Sequence, residues 1–102
     1  MEIRILESAR DDLRNAWKFY DRNRAGLGDY FLDCVQADVS SLLLFAGIHE
    51  VSEDYHRMLV KRFPFAIYYL IEGEFIDIYA ILDCRRESEW IVERLKEVRK
   101  QR

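Results

Sequence analysis

Residues 57–90 read RMLVKRFPFAIYYLIEGEFIDIYAILDCRRESEW, and this stretch decides the fold. From Tyr55 onward, β-branched and aromatic residues recur at a period of two, the mark of strands rather than helix. The runs 55–62, 65–72 and 75–83 are read as three strands. Pro64 has no N–H to give to a ladder, so it separates the first two. Glu72, Gly73 and Glu74 form the next turn, with Gly73 the residue best able to take a positive φ. In the last run Ile76, Ile78, Ala80 and Leu82 are expected to face one way and Phe75, Asp77, Tyr79 and Ile81 the other. Both faces then carry apolar groups, as in a central strand.

Working back toward the N-terminus, Ile3 and Ile5 alternate with Glu2 and Arg4, a short strand with one buried face. Ser8 is expected to open a helix by capping its free N–H groups, with Asp11 and Asp12 placed where the helix dipole favours negative charge. Leu13, Ala16, Trp17 and Tyr20 follow at i, i+3, i+4, i+7 and make one apolar stripe. The segment 23–28 holds two glycines and reads as a turn between helices. A second helix then starts near residues 27–29, with Phe31, Val35, Val39 and Leu42 along its inner side. Leu32, Leu43 and Ala46 widen that stripe until Gly47 stops it. Past residue 86, the segment 87–102 is a third helix with Trp90, Ile91, Leu95 and Val98 on its apolar side. The fold class is α+β, in the order β-α-α-β-β-β-α. An N-terminal αα-hairpin and a C-terminal helix pack on a small, largely antiparallel sheet.

Length and composition set the outer bounds. A chain of 102 residues reads as one domain, residues 1–102, which buries roughly 60 to 70 % of the surface its unfolded chain exposes. Half the residues are hydrophobic and 34 % are charged, the balance of a globular protein. Apolar runs such as 66–71 fall far short of the roughly 20 residues of a membrane span. The start, MEIRILES, lacks the basic leader and apolar stretch of a secretory signal, so the expected location is the cytoplasm. Cys34 and Cys84 stand far apart without a CxxC or a histidine-rich neighbour, which argues against a metal site, a cofactor or a disulfide framework. A net charge of −3 counts against simple nucleic-acid binding. The segment 55–66 nonetheless carries Arg57, Lys61 and Arg62 with no acid, so a local basic patch is open.

Four groups of residues together resemble the RelE/ParE superfamily of small bacterial toxins, in its ParE-like branch. They are Asp12-Leu13 with Ala16 and Phe19-Tyr20, Gly26-Leu27-Gly28-Asp29 with Phe31, Lys61-Arg62-Phe63-Pro64-Phe65 with Ile67-Tyr68-Tyr69, and Arg85-Arg86 with Trp90. The resemblance runs over almost the whole chain. It implies the toxin of a type II toxin-antitoxin module, neutralised by a cognate antitoxin. Such an antitoxin would dock a helix in a groove against the αα-hairpin and add a strand at the sheet edge. Trp17, Tyr20, Phe31 and Val35 are the expected antitoxin-binding anchors. The competing reading of such a stripe is plain core.

Two activities are implied, and they need different chemistry. RelE-like members cleave mRNA on the ribosome, which needs bases and cations around the scissile phosphate. ParE-like members poison DNA gyrase and need a binding surface instead. The sequence leans to the second: Ala66 follows Phe65 where the nucleases carry an arginine, and the chain is acidic. Arg57, Lys61, Arg62, Arg85, Arg86 and Trp90 are the expected target-binding rim. For the nuclease alternative, the catalytic candidates are Arg57, Arg62 and Arg86 to hold phosphate, and His56 or a tyrosine to move a proton. The alternative for each arginine is solvation or pairing with carboxylates. Asp83-Cys84 stands where ParE-like chains often place a histidine before the arginine pair, which motivates a third reading, a non-toxic family member that only binds a partner. Self-association is expected of the chain on its own.

Overall fold

The structure is a computed structural model and describes residues 1–101. Its elements are β1 (Glu2–Ile5), α1 (Glu7–Asn23), α2 (Leu27–Phe45), β2 (Val51–Ser52), β3 (Tyr55–Leu59), β4 (Phe65–Glu72), β5 (Phe75–Asp83) and α3 (Ser88–Gln101). The five strands form one sheet in the order β1-β5-β4-β3-β2. β1 lies parallel to β5, and the remaining pairs are antiparallel. This is the α+β arrangement expected from the sequence, with β2 as an added element.

Each face of the sheet carries its own core. Phe65, Ile67, Tyr69, Ile76, Ile78 and Ile81 pack against the hairpin residues Ala16, Tyr20, Phe31, Val35, Val39 and Leu42. Aromatic rings cluster there: Phe31 lies edge-on to Phe63 and Phe65, with centroids 5.0 Å away in both cases. On the other face Tyr55, Ala66, Tyr68, Tyr79, Ala80 and Leu82 pack against Leu95 and Val98 of α3. Burying both faces of β4 and β5 is what turns their sequences into near-continuous apolar runs.

Alternation along β5 breaks at a bulge. Tyr68 pairs with Ala80 and Tyr69 with Ile78, so Tyr79 has no opposite residue. An unpaired residue moves everything beyond it to the other face. Ile76 and Ile78 therefore face the hairpin, whereas Ala80 and Leu82 face α3 and Ile81 takes the hairpin side. The single-face grouping of Ile76, Ile78, Ala80 and Leu82 is corrected accordingly.

Smaller corrections follow from hydrogen bonding. β3 ends at Leu59 rather than 62, because the Lys61 N–H leaves the ladder for Asp38 Oδ2 at 3.0 Å. α1 begins at Glu7 with Leu6 as its N-cap; the Ser8 hydroxyl does not cap the helix but donates to the Tyr79 carbonyl at 2.6 Å. Leu43 is 58 % exposed and does not extend the inner stripe of α2. In the β2–β3 hairpin both turn residues, Glu53 and Asp54, sit at positive φ, 53° and 70°.

Candidate functional site

β5 has nine residues and β1 only four, so β5 runs on past its neighbour. Beyond Ile78, whose carbonyl accepts from Leu6 N–H at 3.0 Å, the outer edge of β5 has no strand beside it. Helix α1 supplies the missing partners. Ser8 Oγ bonds the Tyr79 carbonyl, and Asp12 Oδ2 accepts the Ile81 N–H at 3.0 Å. Arg94 of α3 then reaches Asp12 Oδ1 at 3.0 Å and the Ser8 carbonyl at 3.3 Å. Burial pushes the Asp12 carboxyl up to about 6, against the Ile81 N–H and the Arg94 charge, which pull it down.

These contacts hold α1 and α3 on either side of the uncovered end of β5 and leave a groove of about 920 Å³ between them. Its floor includes Ile81 and Leu82, and its walls include Phe19, Arg86, Trp90 and Glu93. Phe19 is 54 % exposed and Trp90 38 %. The Arg86 guanidinium lies over the Trp90 ring at 3.9 Å, a cation–π contact that keeps both groups at the mouth of the groove.

The β3–β4 turn and the β5–α3 turn meet, because Cys84 N–H donates to the Pro64 carbonyl at 2.8 Å. That contact brings Lys61 and Arg62 to the same end of the sheet as Arg85 and Arg86, all four exposed. The basic groups are not equivalent. Arg85 binds both carboxylate oxygens of Asp83, at 3.0 and 2.7 Å, and holds that carboxyl below its usual range. Arg57 is half-buried on the α3 side, where its guanidinium donates to the Tyr68 hydroxyl at 3.3 Å and to Cys84 Sγ at 3.4 Å. The Tyr68 hydroxyl is the main cause of the raised Arg57 pKa.

His56 and Arg57 do not meet. As neighbours on a strand they point to opposite faces. His56 stacks on Tyr69 beneath the hairpin, with centroids 5.0 Å apart and planes 24° apart, while Arg57 faces α3. His56 therefore stands apart from Arg57 across the sheet and is not assembled with it around one point. Among the described residues no group of three or more His, Cys, Asp or Glu could hold a metal ion. Nor is any helix among them long and apolar enough to cross a membrane.

Three of the four expected antitoxin anchors are core. Tyr20 is 9 % exposed, Phe31 0 % and Val35 1 %, so they are spent between the hairpin and the sheet and cannot meet a partner. Trp17 is half-buried on the outer side of the hairpin, its Nε1 donating to Asp29 Oδ1 at 2.9 Å, and it lines a shallow apolar depression with Leu13 and Leu32. Open apolar groups lie elsewhere, among them Phe19 on α1, Leu43, Leu44 and Phe45 at the end of α2, and Ile48 just past it. Sequence periodicity marks a stripe but does not say which residues beside it stay uncovered. Asp12 and Arg94 were missed as groove-builders for a similar reason, since their joint role depends on β5 outrunning β1.

No protein-family model matches the chain, and no curated protein does. Among solved structures, a chain of the chromosomal ParDE TA system from P. aeruginosa superposes with a TM-score of 0.74 at 21 % identity, covering 79 % of this chain and 92 % of that one. The fold is that of a ParDE-system protein. The match takes in nearly all of the ParDE-system chain, so the likeness is one of whole folds rather than of a fragment.

Proposed function

We propose that the chain is a ParE-type toxin of a type II toxin-antitoxin module, acting in the cytoplasm. It binds a cognate antitoxin and, when free, inhibits DNA gyrase by recognition rather than turnover. The end of the sheet carrying Arg62, Arg85, Arg86 and Trp90 engages the target, with Lys61 and Arg57 beside it. The groove between α1 and α3, with Phe19 and Trp90 as exposed aromatics, receives an antitoxin segment.

The observation that carries this reading is the opposed placement of His56 and Arg57 on a ParDE-like fold. A nuclease needs a proton-transfer group and a cation at one phosphate. A net charge of −3 supports the same side, because phosphate backbones are held mainly by Lys and Arg. The exposed Leu43, Leu44, Phe45 and Ile48 support self-association of the chain in isolation. One contact favours the mRNA endonuclease as a second reading: the Tyr68 hydroxyl lies 3.3 Å from Arg57, a phenol beside a cation.

Inducible expression tests the proposal. Growth arrest relieved by co-expressing the neighbouring reading frame, together with inhibition of gyrase supercoiling by the purified chain, is the expected result. Cut mRNA on translating ribosomes with supercoiling untouched would replace it with the nuclease. A chain that does neither, yet binds its neighbour's product, is a non-toxic binding module.

A further inference from the structure

Tyr69 is fully buried in β4, yet its hydroxyl is the anchor of a loop. Gly47, just past the end of α2 at φ +97°, donates its N–H to the Tyr69 oxygen at 2.9 Å. His49 Nδ1 shares a hydrogen bond with the same oxygen at 2.5 Å. His56 lies against the Tyr69 ring, and its Nδ1 bonds the His49 carbonyl at 3.0 Å. One residue further on, the Glu50 carbonyl accepts Arg57 N–H at 2.9 Å and leads into the two-residue strand β2.

The donors and acceptors in this cluster can be counted. One lone pair of the Tyr69 oxygen takes the Gly47 N–H, so the phenolic proton needs an acceptor, and His49 Nδ1 is the group in position. That assigns His49 as neutral, with its proton on Nε2. A second proton on Nδ1 would turn the acceptor into a donor and leave the buried phenolic proton without a partner. We propose that the segment 47–50 is a proton-operated latch: acid converts His49 from acceptor to donor, breaks its bond to Tyr69, and releases the loop and β2 from the edge of β3.

The surroundings favour the neutral form. Burial and the adjacent His56 both lower the pKa of His49 from its ordinary value of 6.5. The closed loop thus binds fewer protons than the open one, so closure holds above that value and weakens as pH falls through it. The charged groups sharing the neighbouring pocket are Asp38 from α2, Glu50 on the loop, Arg57 from β3 and Lys61 beyond it. Asp38 is occupied by the Lys61 N–H. Glu50 is 75 % exposed and sits 4.0 Å from Arg57, so its help to an imidazolium is screened by water. The β4 groups facing the loop, Tyr69 and Ile71, carry no charge.

Amide hydrogen exchange on the intact protein tests the latch, with protection computed against unfolded rates at each pH. Between pH 7.5 and 5, protection of the Gly47 and Arg57 amides is expected to fall severalfold, while Ile78 in the sheet keeps its protection. His49→Asn, whose Oδ1 stands on Cγ as Nδ1 does and accepts the phenolic proton at any pH, is expected to remove the pH dependence. Tyr69→Phe is expected to lower protection equally at both pH values. Constant protection in the wild type, or an undiminished fall in H49N, overturns the proposal.

Discussion

Asp12 stands 69 residues from Ile81 in sequence and accepts its backbone N–H at 3.0 Å, so one carboxylate of α1 takes the place of a strand that β1 is too short to provide. Its folded pKa of about 6 lies above the ordinary 3.8, which means the native state binds this proton more tightly than the unfolded one. Stability from this group is full below pH 3.8 and is lost as pH rises through about 6. Asp12→Asn keeps an acceptor and removes the titration. The wild-type minus Asp12→Asn difference in urea stability is expected to shift against the wild type by on the order of 2 kcal/mol between pH 4 and 7. A difference that stays flat over that range contradicts the assignment.

Gly28 is held to glycine by Trp17. A Cβ at that position would lie 2.7 Å from Cδ1 and Nε1 of the indole, inside any real contact distance. Gly28→Ala is expected to cost about 1 to 3 kcal/mol through this overlap, despite the better helix propensity of alanine. Trp17→Leu in the same background should recover part of the loss. Thermal melts of the two variants make the comparison.

Arg4 holds Asp77 through two charge-assisted bonds, 2.6 and 2.8 Å, while its guanidinium covers the Phe75 ring at 3.7 Å. Asp77 is fully buried, so losing these bonds leaves a desolvated charge with less compensation. Arg4→Ala is expected to lower stability by about 3 kcal/mol in chemical denaturation.

Core and rim separate cleanly in two aromatic truncations. Phe31→Ala empties a site among Tyr20, Phe63 and Phe65 and is expected to cost about 3 to 5 kcal/mol. Trp90→Ala removes a half-open side chain and Arg86's ring partner, at about 1 kcal/mol or less. Under the proposed function Trp90→Ala relieves growth arrest with its fold intact by circular dichroism. Persistent arrest with Trp90→Ala would remove this residue from the target-binding surface.

Much of the fold was legible because its signals are local. Phe31, Val35, Val39 and Leu42 recur at helical spacing and all four are buried. Gly73 marked the β4–β5 turn and takes a φ of 61°. The bulge at Tyr79 was not legible, since β5 is apolar on both faces and a one-residue slip leaves its pattern unchanged. β2 escaped because it has two residues and a Glu53-Asp54 turn in place of the Asn-Gly type that signals such hairpins. The basic end was visible only in part: the residues stand out in sequence, but the Cys84–Pro64 bond that joins their turns, and the split of His56 from Arg57, are tertiary facts.

The parallel pairing of Glu2 with Phe75 fixes when this molecule can come into being. β1 waits through the synthesis of α1, α2 and three more strands before its partner emerges, and contacts that far apart in sequence form slowly. A nascent or truncated chain ending before residue 75 has an unsatisfied β1 and no floor for the α1–α3 groove. Whatever rests on that groove therefore waits for β5, the last strand of the sheet, to be made.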